Sequence, residues 1–146
     1  MSLAQWAANG WLRPHQTTRR QITDMLAIVE RDLADSEQSL SADWQFGIAY
    51  NAALKLCTIL LYASGYRPEK NLAHYRTLQA LPLILGPGRD DDADYLDACR
   101  AKRNTAEYDA AGTVSQTEAD ELRTFVRELR LATLDWLRQK HPGLAP

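Results

Sequence analysis

The stretch from Ser41 to Gly65, SADWQFGIAYNAALKLCTILLYASG, constrains this chain most, because it is apolar around nearly the whole circumference of a helix. Ser41 is a favourable N-cap, and Gly65 tolerates the left-handed conformation that often follows a helix C-terminus. One stripe of the helix is formed by Phe46, Ala49, Ala53, Leu56, Cys57 and Leu60. A helix this apolar needs neighbours on every side, so the stretch predicts a central helix enclosed by others.

Amphipathic helices are predicted on both sides of this central helix. From about residue 18 to 37, apolar residues recur at three- or four-residue steps behind a threonine N-cap, Thr17 or Thr18. From about residue 115 to 139, Ser115 and Glu118 form a capping box that opens a long helix. Each of these helices has one apolar face, which predicts that both pack against the central helix.

The remaining segments predict shorter helices and no strand. A helix is expected from His74 to Leu85, bent or divided at Pro82, and another from about Asp92 to Tyr108. A short helix over about 2–10 and a frayed tail over 141–146 complete the chain. No segment alternates strictly between apolar and polar residues, as a half-buried strand would. The fold class predicted is therefore all-α, an antiparallel up-and-down bundle of four or five helices in a single domain over 1–146.

Composition limits the function classes. The chain has 146 residues, 17 Lys and Arg against 19 Asp and Glu, and a formal net charge of −2. It therefore lacks the global positive field that drives sequence-independent binding to nucleic acid, and any phosphate site must be local. The N-terminus does not resemble a signal peptide and no membrane span is expected, so the protein is predicted to be cytoplasmic. Cys57 and Cys99 are predicted to be buried free thiols.

Several chemistries find no support in the sequence motifs. The chain has no phosphate-binding loop, no dinucleotide fingerprint, no H-E-x-x-H and no G-x-S-x-G. His15, His74 and His141 are scattered singly, and the acidic run from Asp90 to Asp94 is typical of a helix start. We therefore expect no metal site and no cofactor.

A cluster of positive charge near residue 100 is the strongest candidate site. On a helix ending near Tyr108, Arg100, Asn104 and Tyr108 fall at i, i+4 and i+8 and share one face. Arg103 lies toward the apolar side of the same helix. A guanidinium held at the rim of a core needs an anion, which could be a carboxylate, a helix C-terminus or a bound phosphate.

A structural alternative explains the same cluster without any ligand. Arg100, Lys102 and Arg103 would then form ion pairs on or near their own helix and complement the helix dipole near its C-terminus. The carboxylates within reach in the sequence are those of Asp97, Glu107 and Asp109. Spacing alone leaves both interpretations open.

The strings AYNAALKLCTILLYASGY, AHYRTLQAL and RAKRNTAEYD, in this order, resemble the HEPN superfamily of small helical nucleotide- and RNA-binding domains, in particular bacterial stand-alone members. Active members of this family carry an arginine, a polar residue and then a histidine. The resemblance implies that Arg103 is the motif arginine and Asn104 the polar residue. Tyr108 stands where the histidine would be, which gives R-N-x-x-x-Y.

The resemblance implies a homodimer and a choice of three functions. Active HEPN proteins are metal-independent endoribonucleases, but a tyrosine with an ordinary pKa of about 10 is a poorer base at neutral pH than a histidine at about 6.5. The leading prediction is a non-catalytic or weakly catalytic domain that binds RNA or a nucleotide, in a toxin–antitoxin context. The alternatives are a ribonuclease toxin in which Tyr108 acts with Arg103, and a protein-binding partner of a nucleotidyltransferase.

Two further polar residues are candidates for the ligand pocket. His74 resembles a histidine common before the third helix of HEPN domains, and it could bond Asn51 or Tyr75 or line the pocket. Asn51 is expected to be buried in the central helix with a polar partner. The aromatic residues Trp44, Tyr50 and Trp136 are expected to pack in the core or at an interface.

Overall fold

A computed structural model describes all residues from Met1 to Pro146. The four long helices are α2 (Arg19–Asp35), α3 (Ala42–Ala63), α6 (Asp90–Tyr108) and α7 (Gln116–Lys140). The three short ones are α1 (Leu3–Ala8), α4 (Ala73–Gln79) and α5 (Leu81–Leu85). Two short strands are β1 (Leu12–Pro14) and β2 (Tyr66–Pro68), and a 3₁₀ turn (Pro87–Arg89) precedes α6. The all-α bundle is confirmed, although it contains seven helices, more than the four or five expected.

The centre of the bundle is α3, as its sequence predicts. It contacts α2 and α7 along most of its length and α6 over a shorter part. It is also the one helix long and apolar enough to cross a membrane, and 67% of its most apolar window is buried inside the protein. Its apolar residues join those of its neighbours in a hydrophobic core of 27 buried residues.

The expected start signals are present at α2, α3 and α7. The side chains of Thr18, Ser41 and Ser115 each accept a hydrogen bond from the backbone N–H three residues later. The capping box of Ser115 and Glu118 at the start of α7 is complete. Each cap satisfies a backbone donor that the helix itself leaves unpaired, and so it fixes the residue at which the helix begins.

A two-stranded antiparallel ribbon corrects the expectation that no strand is present. In this ribbon, β1 pairs with β2 so that Leu12 faces Pro68 and Pro14 faces Tyr66. Each strand has only three residues and ends in proline, so neither shows the alternation from which a strand is recognised. The ribbon covers a second, smaller core formed by Trp6, Leu12, Leu61 and Ala80.

Two other local expectations concern the helix divided at Pro82 and the C-terminal tail; the first is confirmed and the second is wrong. The helix expected from His74 to Leu85 is divided at Ala80 into α4 and α5, with Pro82 in the first turn of α5, as predicted. The tail over 141–146 is not frayed. Ala145 is buried and Leu144 packs against the core, because the chain turns back after α7 through a backbone hydrogen bond from Leu144 N–H to the His141 carbonyl. Two apolar residues in a short tail suffice to dock it.

Tyr50 of α3 provides a test of how the core is packed. Its side chain is fully buried and its hydroxyl makes no hydrogen bond. Burial raises its pKa to about 12, although Arg100 and Arg103 act in the opposite direction. Since an unpaired buried hydroxyl costs about 1–3 kcal/mol, we expect Tyr50→Phe to raise the free energy of unfolding by about 1 kcal/mol.

Urea denaturation followed by circular dichroism measures this change. Tyr108→Phe is the matched control, because Tyr108 is 74% exposed and its hydroxyl keeps its contact with water in the folded protein. A loss of stability in Tyr50→Phe would show that the buried hydroxyl makes a bond that holds the fold.

Candidate functional site

One side of α3 is polar and is left uncovered by the other long helices. Asn51, Lys55 and Thr58 follow each other at helical spacing on this side. Asn51 is exposed, which corrects the expectation that it is buried with a polar partner. The central helix is therefore not enclosed on every side, and its polar stripe faces a surface depression.

Three adjoining hollows, of about 520, 500 and 620 Å³, form a groove, and the polar stripe of α3 lines the second and third of them. The first two hollows share Ala73 and His74, and the last two share Lys55 and Thr58. The walls come from α2, α4, α6 and the segment before α4. We call this depression the basic groove; its titratable residues are Arg20, Asp24, Arg31, Asp32, Lys55, Lys70, His74 and Arg100.

Two lysines of the basic groove have no carboxylate partner. Lys55, in the middle of the groove, and Lys70, at its α6 end, take part in no ion pair. Arg100 is paired through its Nε with Asp97 of its own helix, at 2.9 Å, and its side chain remains 32% exposed. The α6 end of the groove therefore presents two cations to one hollow.

His74 joins the two hollows at this end. Its imidazole makes no hydrogen bond to another residue in the structure, so it bonds neither Asn51 nor Tyr75. Partial desolvation, together with the charges of Arg103 and Arg100, lowers the pKa of His74 below its ordinary 6.5. At neutral pH the ring is therefore uncharged, and one nitrogen carries a lone pair.

Arg103 is turned inward, between α6 and α3. Its Nε is buried and lies 3.1 Å from Glu107 Oε1, but the N–H is not aligned with that oxygen, so the contact is an ion pair without a hydrogen bond. One Nη donates to Asn104 Oδ1 at 3.3 Å, and the guanidinium carbon lies 5.7 Å from the centre of the Tyr50 ring. The anion that Arg103 contacts here is the Glu107 carboxylate.

The pairing of the charge cluster therefore follows the structural alternative. Arg100 pairs with Asp97 and Arg103 with Glu107, as that alternative expects, whereas Lys102 reaches Glu118 at the start of α7. The partner of Lys102 could not be predicted from spacing, because it belongs to a different helix.

Tyr108 lies apart from the basic groove. It is the last residue of α6, about 12 Å along the helix from Arg100. It lines a separate hollow together with Trp44, which is 59% exposed and not packed in the core. Of the three aromatic residues expected to pack, Tyr50 is buried and Trp136 packs against the core. The structure thus brings Asn51, His74 and Arg100 to one groove and places Tyr108 elsewhere.

The other candidate chemistries find no assembled site. No group of three or more His, Cys, Asp or Glu side chains is placed to hold a metal ion. His15 packs against Tyr62, and His141 against Trp136. Cys57 and Cys99 are free and buried, as predicted, and burial raises the pKa of Cys57 to about 12.

No family model, curated protein or solved structure matches this chain in the comparisons.

Lys55 and Lys70 are site residues that were not predicted from the sequence. A signal for Lys55 is present, because Asn51, Lys55 and Thr58 form a polar stripe on a helix that is otherwise apolar. A polar stripe on a central helix marks the side where no other helix packs. Lys70 lies in the connection before α4, and only the fold brings it to Arg100.

We expect Arg103 and Glu107 to stabilise the fold as a pair. Both side chains are largely buried, at 21% and 18% exposed, and the carboxylate lies against Gly47 of α3. A double-mutant cycle of Arg103→Ala and Glu107→Ala, measured by urea denaturation, should give a coupling free energy of about 1 kcal/mol or more.

The matched control is the pair of Arg20 and Asp24, which has the same i, i+4 spacing but is 90% and 69% exposed. Its coupling should be near zero, since exposed pairs are screened by water. Equal coupling in the two cycles would contradict a role for burial at Arg103.

Proposed function

We propose that this protein is a HEPN-like domain that binds a phosphate-bearing ligand, RNA or a nucleotide, in the basic groove. The observation that carries the proposal is the pair of lysines without carboxylate partners, Lys55 and Lys70, in a groove that also presents His74 and Arg100. The only carboxylates that line the groove are Asp24 and Asp32. Each of them pairs with an arginine, Asp24 with Arg20 and Asp32 with Arg31.

The charge arrangement explains how a chain with a net charge of −2 can hold an anion. A lysine ammonium without a carboxylate partner attracts a phosphate at short range. When it neutralises a phosphate of a nucleic acid, the counterions condensed on that phosphate are released into solution. The Nη groups of Arg100 add donors in the planar fork that suits phosphate oxygens. The groove is open along its length, so it admits an extended strand as well as a single nucleotide.

In this proposal Arg103 lines none of the hollows of the groove and acts on them through its charge. Its pairing with Glu107 leaves Arg100 as the arginine that lines the hollow with Lys70 and His74. The positive charge of Arg103 still acts on the groove, since it contributes to the lowered pKa of His74. Asn51 adds an amide donor and acceptor on the groove floor.

A metal-independent endoribonuclease is the second candidate, and the position of His74 favours it. A neutral imidazole in a groove lined by cations has what is needed to take the proton of a ribose 2′-hydroxyl as that oxygen attacks the phosphorus. The bond between the phosphorus and the 5′-oxygen breaks as the new bond forms, and the imidazolium returns the proton to the leaving 5′-oxygen. Tyr108 is less suited to the same step, because no Lys, Arg or His lines its hollow to stabilise the charge of the phosphate.

The remaining parts of the proposal concern partners and context. A cytoplasmic bacterial homodimer, in a toxin–antitoxin setting or next to a nucleotidyltransferase partner, is in keeping with the HEPN resemblance. Exposed apolar side chains beside the groove, Leu72 at 61% and Tyr75 at 38%, offer surface for such a contact.

We expect Lys55→Ala and Lys70→Ala each to weaken binding of a short mixed-sequence single-stranded RNA. The slope of log affinity against log salt should fall by about 0.7 for each phosphate contact that is lost. Fluorescence anisotropy over a salt series measures both quantities, and competition by ADP separates nucleotide binding from RNA binding.

Lys140→Ala is the matched control, since Lys140 is an exposed lysine without an ion pair at the end of α7, outside the groove. If the control loses as much affinity as the groove variants, or if none of the three changes the salt slope, the groove is not the site.

The ribonuclease candidate makes a separate prediction. EDTA-resistant cleavage of the same RNA should be lost in His74→Ala while affinity is retained, because binding depends on the cations. The pKa of His74 is lowered, so the cleavage rate should rise with pH below 6.5 and already be level at neutral pH. Cleavage that survives His74→Ala but is lost in Tyr108→Phe would assign the step to Tyr108 instead.

A further inference from the structure

The hollow at the C-terminal end of α6 differs in chemistry from the basic groove. It has a volume of about 590 Å³, within the range of small-molecule sites. Its functional groups are the rings of Trp44 and Tyr108 and the carboxylates of Asp43 and Glu107. The other residues that line it are small or apolar: Ser41, Ala42, Ala106, Ala111, Gly112 and Val114. We call it the aromatic hollow.

The two rings of the aromatic hollow are available to a ligand. Trp44 is 59% exposed and Tyr108 is 74% exposed. They do not pair with each other, and neither takes part in any of the four aromatic contacts of the protein. Neither ring has a cation over its face, although Trp11 and Tyr50 each have an arginine there.

The electrostatics of the aromatic hollow favour a positive charge. Two carboxylates line it, and no Lys, Arg or His does. Glu107 is paired with Arg103, so the unbalanced negative charge comes from Asp43, which takes part in no ion pair. The last turn of α6, which ends here, contains no basic residue to offset the negative end of its dipole. The N-terminus of α3 also reaches the hollow, but Ser41 caps it and Asp43 lies in its first turn.

The walls of the aromatic hollow are held in place without a ligand. The Asp43 carboxylate accepts hydrogen bonds from the Gly112 N–H at 2.7 Å and the Val114 N–H at 3.1 Å, which fixes the connection between α6 and α7. Glu107 is anchored through its Oε1 to Arg103, and its Oε2 makes no hydrogen bond within the protein. One carboxylate oxygen is therefore free to accept from a ligand.

We infer that the aromatic hollow binds an organic cation, and that a guanidinium group fits it best. A guanidinium is flat and stacks on the faces of Trp44 and Tyr108, while its N–H groups donate to the free oxygen of Glu107. Phosphate is disfavoured by the same carboxylates, so this site and the basic groove select ligands of opposite charge. The inference does not depend on the proposed function.

The test uses methylguanidinium chloride as the probe and methylurea, its neutral flat counterpart, as the control. Two-dimensional ¹⁵N NMR follows the indole N–H of Trp44 and the backbone N–H of Gly112. Methylguanidinium should produce saturable shifts at both signals and methylurea should not. Equal responses to the two probes, or no saturable response to methylguanidinium, would overturn the inference.

Variants separate stacking from charge. Trp44→Ala, Tyr108→Ala and Glu107→Gln should each weaken methylguanidinium binding about fivefold, equivalent to about 1 kcal/mol. The first two residues are exposed, so these changes leave the core intact. Tyr75→Ala, an exposed aromatic outside the hollow, should leave binding unchanged, and so should Lys70→Ala. Loss of cation binding in Lys70→Ala would contradict two separate sites.

The source of the cation is distinguished by a second probe, the blocked tripeptide acetyl-Gly-Arg-Gly-amide. Tighter binding than that of methylguanidinium assigns the site to an arginine of a partner protein, and equal binding assigns it to a small cation; both results support the inference. Light scattering completes the test. If Trp44→Ala converts a dimer to a monomer and methylguanidinium has no effect, the hollow is an interface between copies and the inference is wrong.

Discussion

The side chains of α3 are apolar around most of the helix, so water has to be excluded from most of its surface, and this burial determines the positions of the other long helices. Each of α2, α6 and α7 has apolar residues that meet α3 in the common core. Removing aliphatic surface from water stabilises the fold by about 25 cal/mol per Å², and α3 contributes many of the fully buried residues. The caps and ion pairs on the surface then fix where the outer helices begin and how they are aligned. The fold therefore depends on one helix that cannot exist without its neighbours.

The same requirement creates the basic groove. The other three long helices do not cover the full circumference of α3, and the side that they leave open carries Asn51, Lys55 and Thr58. Because these polar groups lie on a rigid helix buried on its other sides, their positions do not depend on a loop. The segment before α4 and the middle of α6 then bring Lys70 and Arg100 to one end of the groove. The pattern of α3 thus determines both the packing of the core and the position of Lys55, whereas Lys70 and Arg100 come from elements packed beside it.

Most of the helical framework could be predicted from the sequence, because its signals are local. The cap at Ser41 and the break before Pro82 act within one or two helical turns, and they are confirmed at the residues expected. What the sequence could not determine is the side of a helix that remains exposed, since this depends on where other helices lie. Asn51 was expected to be covered and is exposed for this reason, and Trp44 does not pack in the core of the chain. The β-ribbon and the docked tail were missed because three-residue strands and a six-residue tail carry too little pattern.

The candidate site was found in part: Arg100 and His74 lie at one hollow, but the i+8 spacing of Tyr108 takes it to another.

The two candidate sites stay electrostatically separate because an ion pair lies between them on α6. Arg100 lines the basic groove and Tyr108 lines the aromatic hollow, about 12 Å apart along the helix. Between them, Arg103 and Glu107 form an ion pair at 3.1 Å in partly buried surroundings, so each charge weakens the effect of the other beyond the pair. If Glu107 were absent, the full charge of Arg103 would extend to the hollow; if Arg103 were absent, the carboxylate would weaken the attraction of the groove for phosphate. A pair that contributes to stability therefore also allows α6 to present surfaces of opposite preference at its middle and at its C-terminal end.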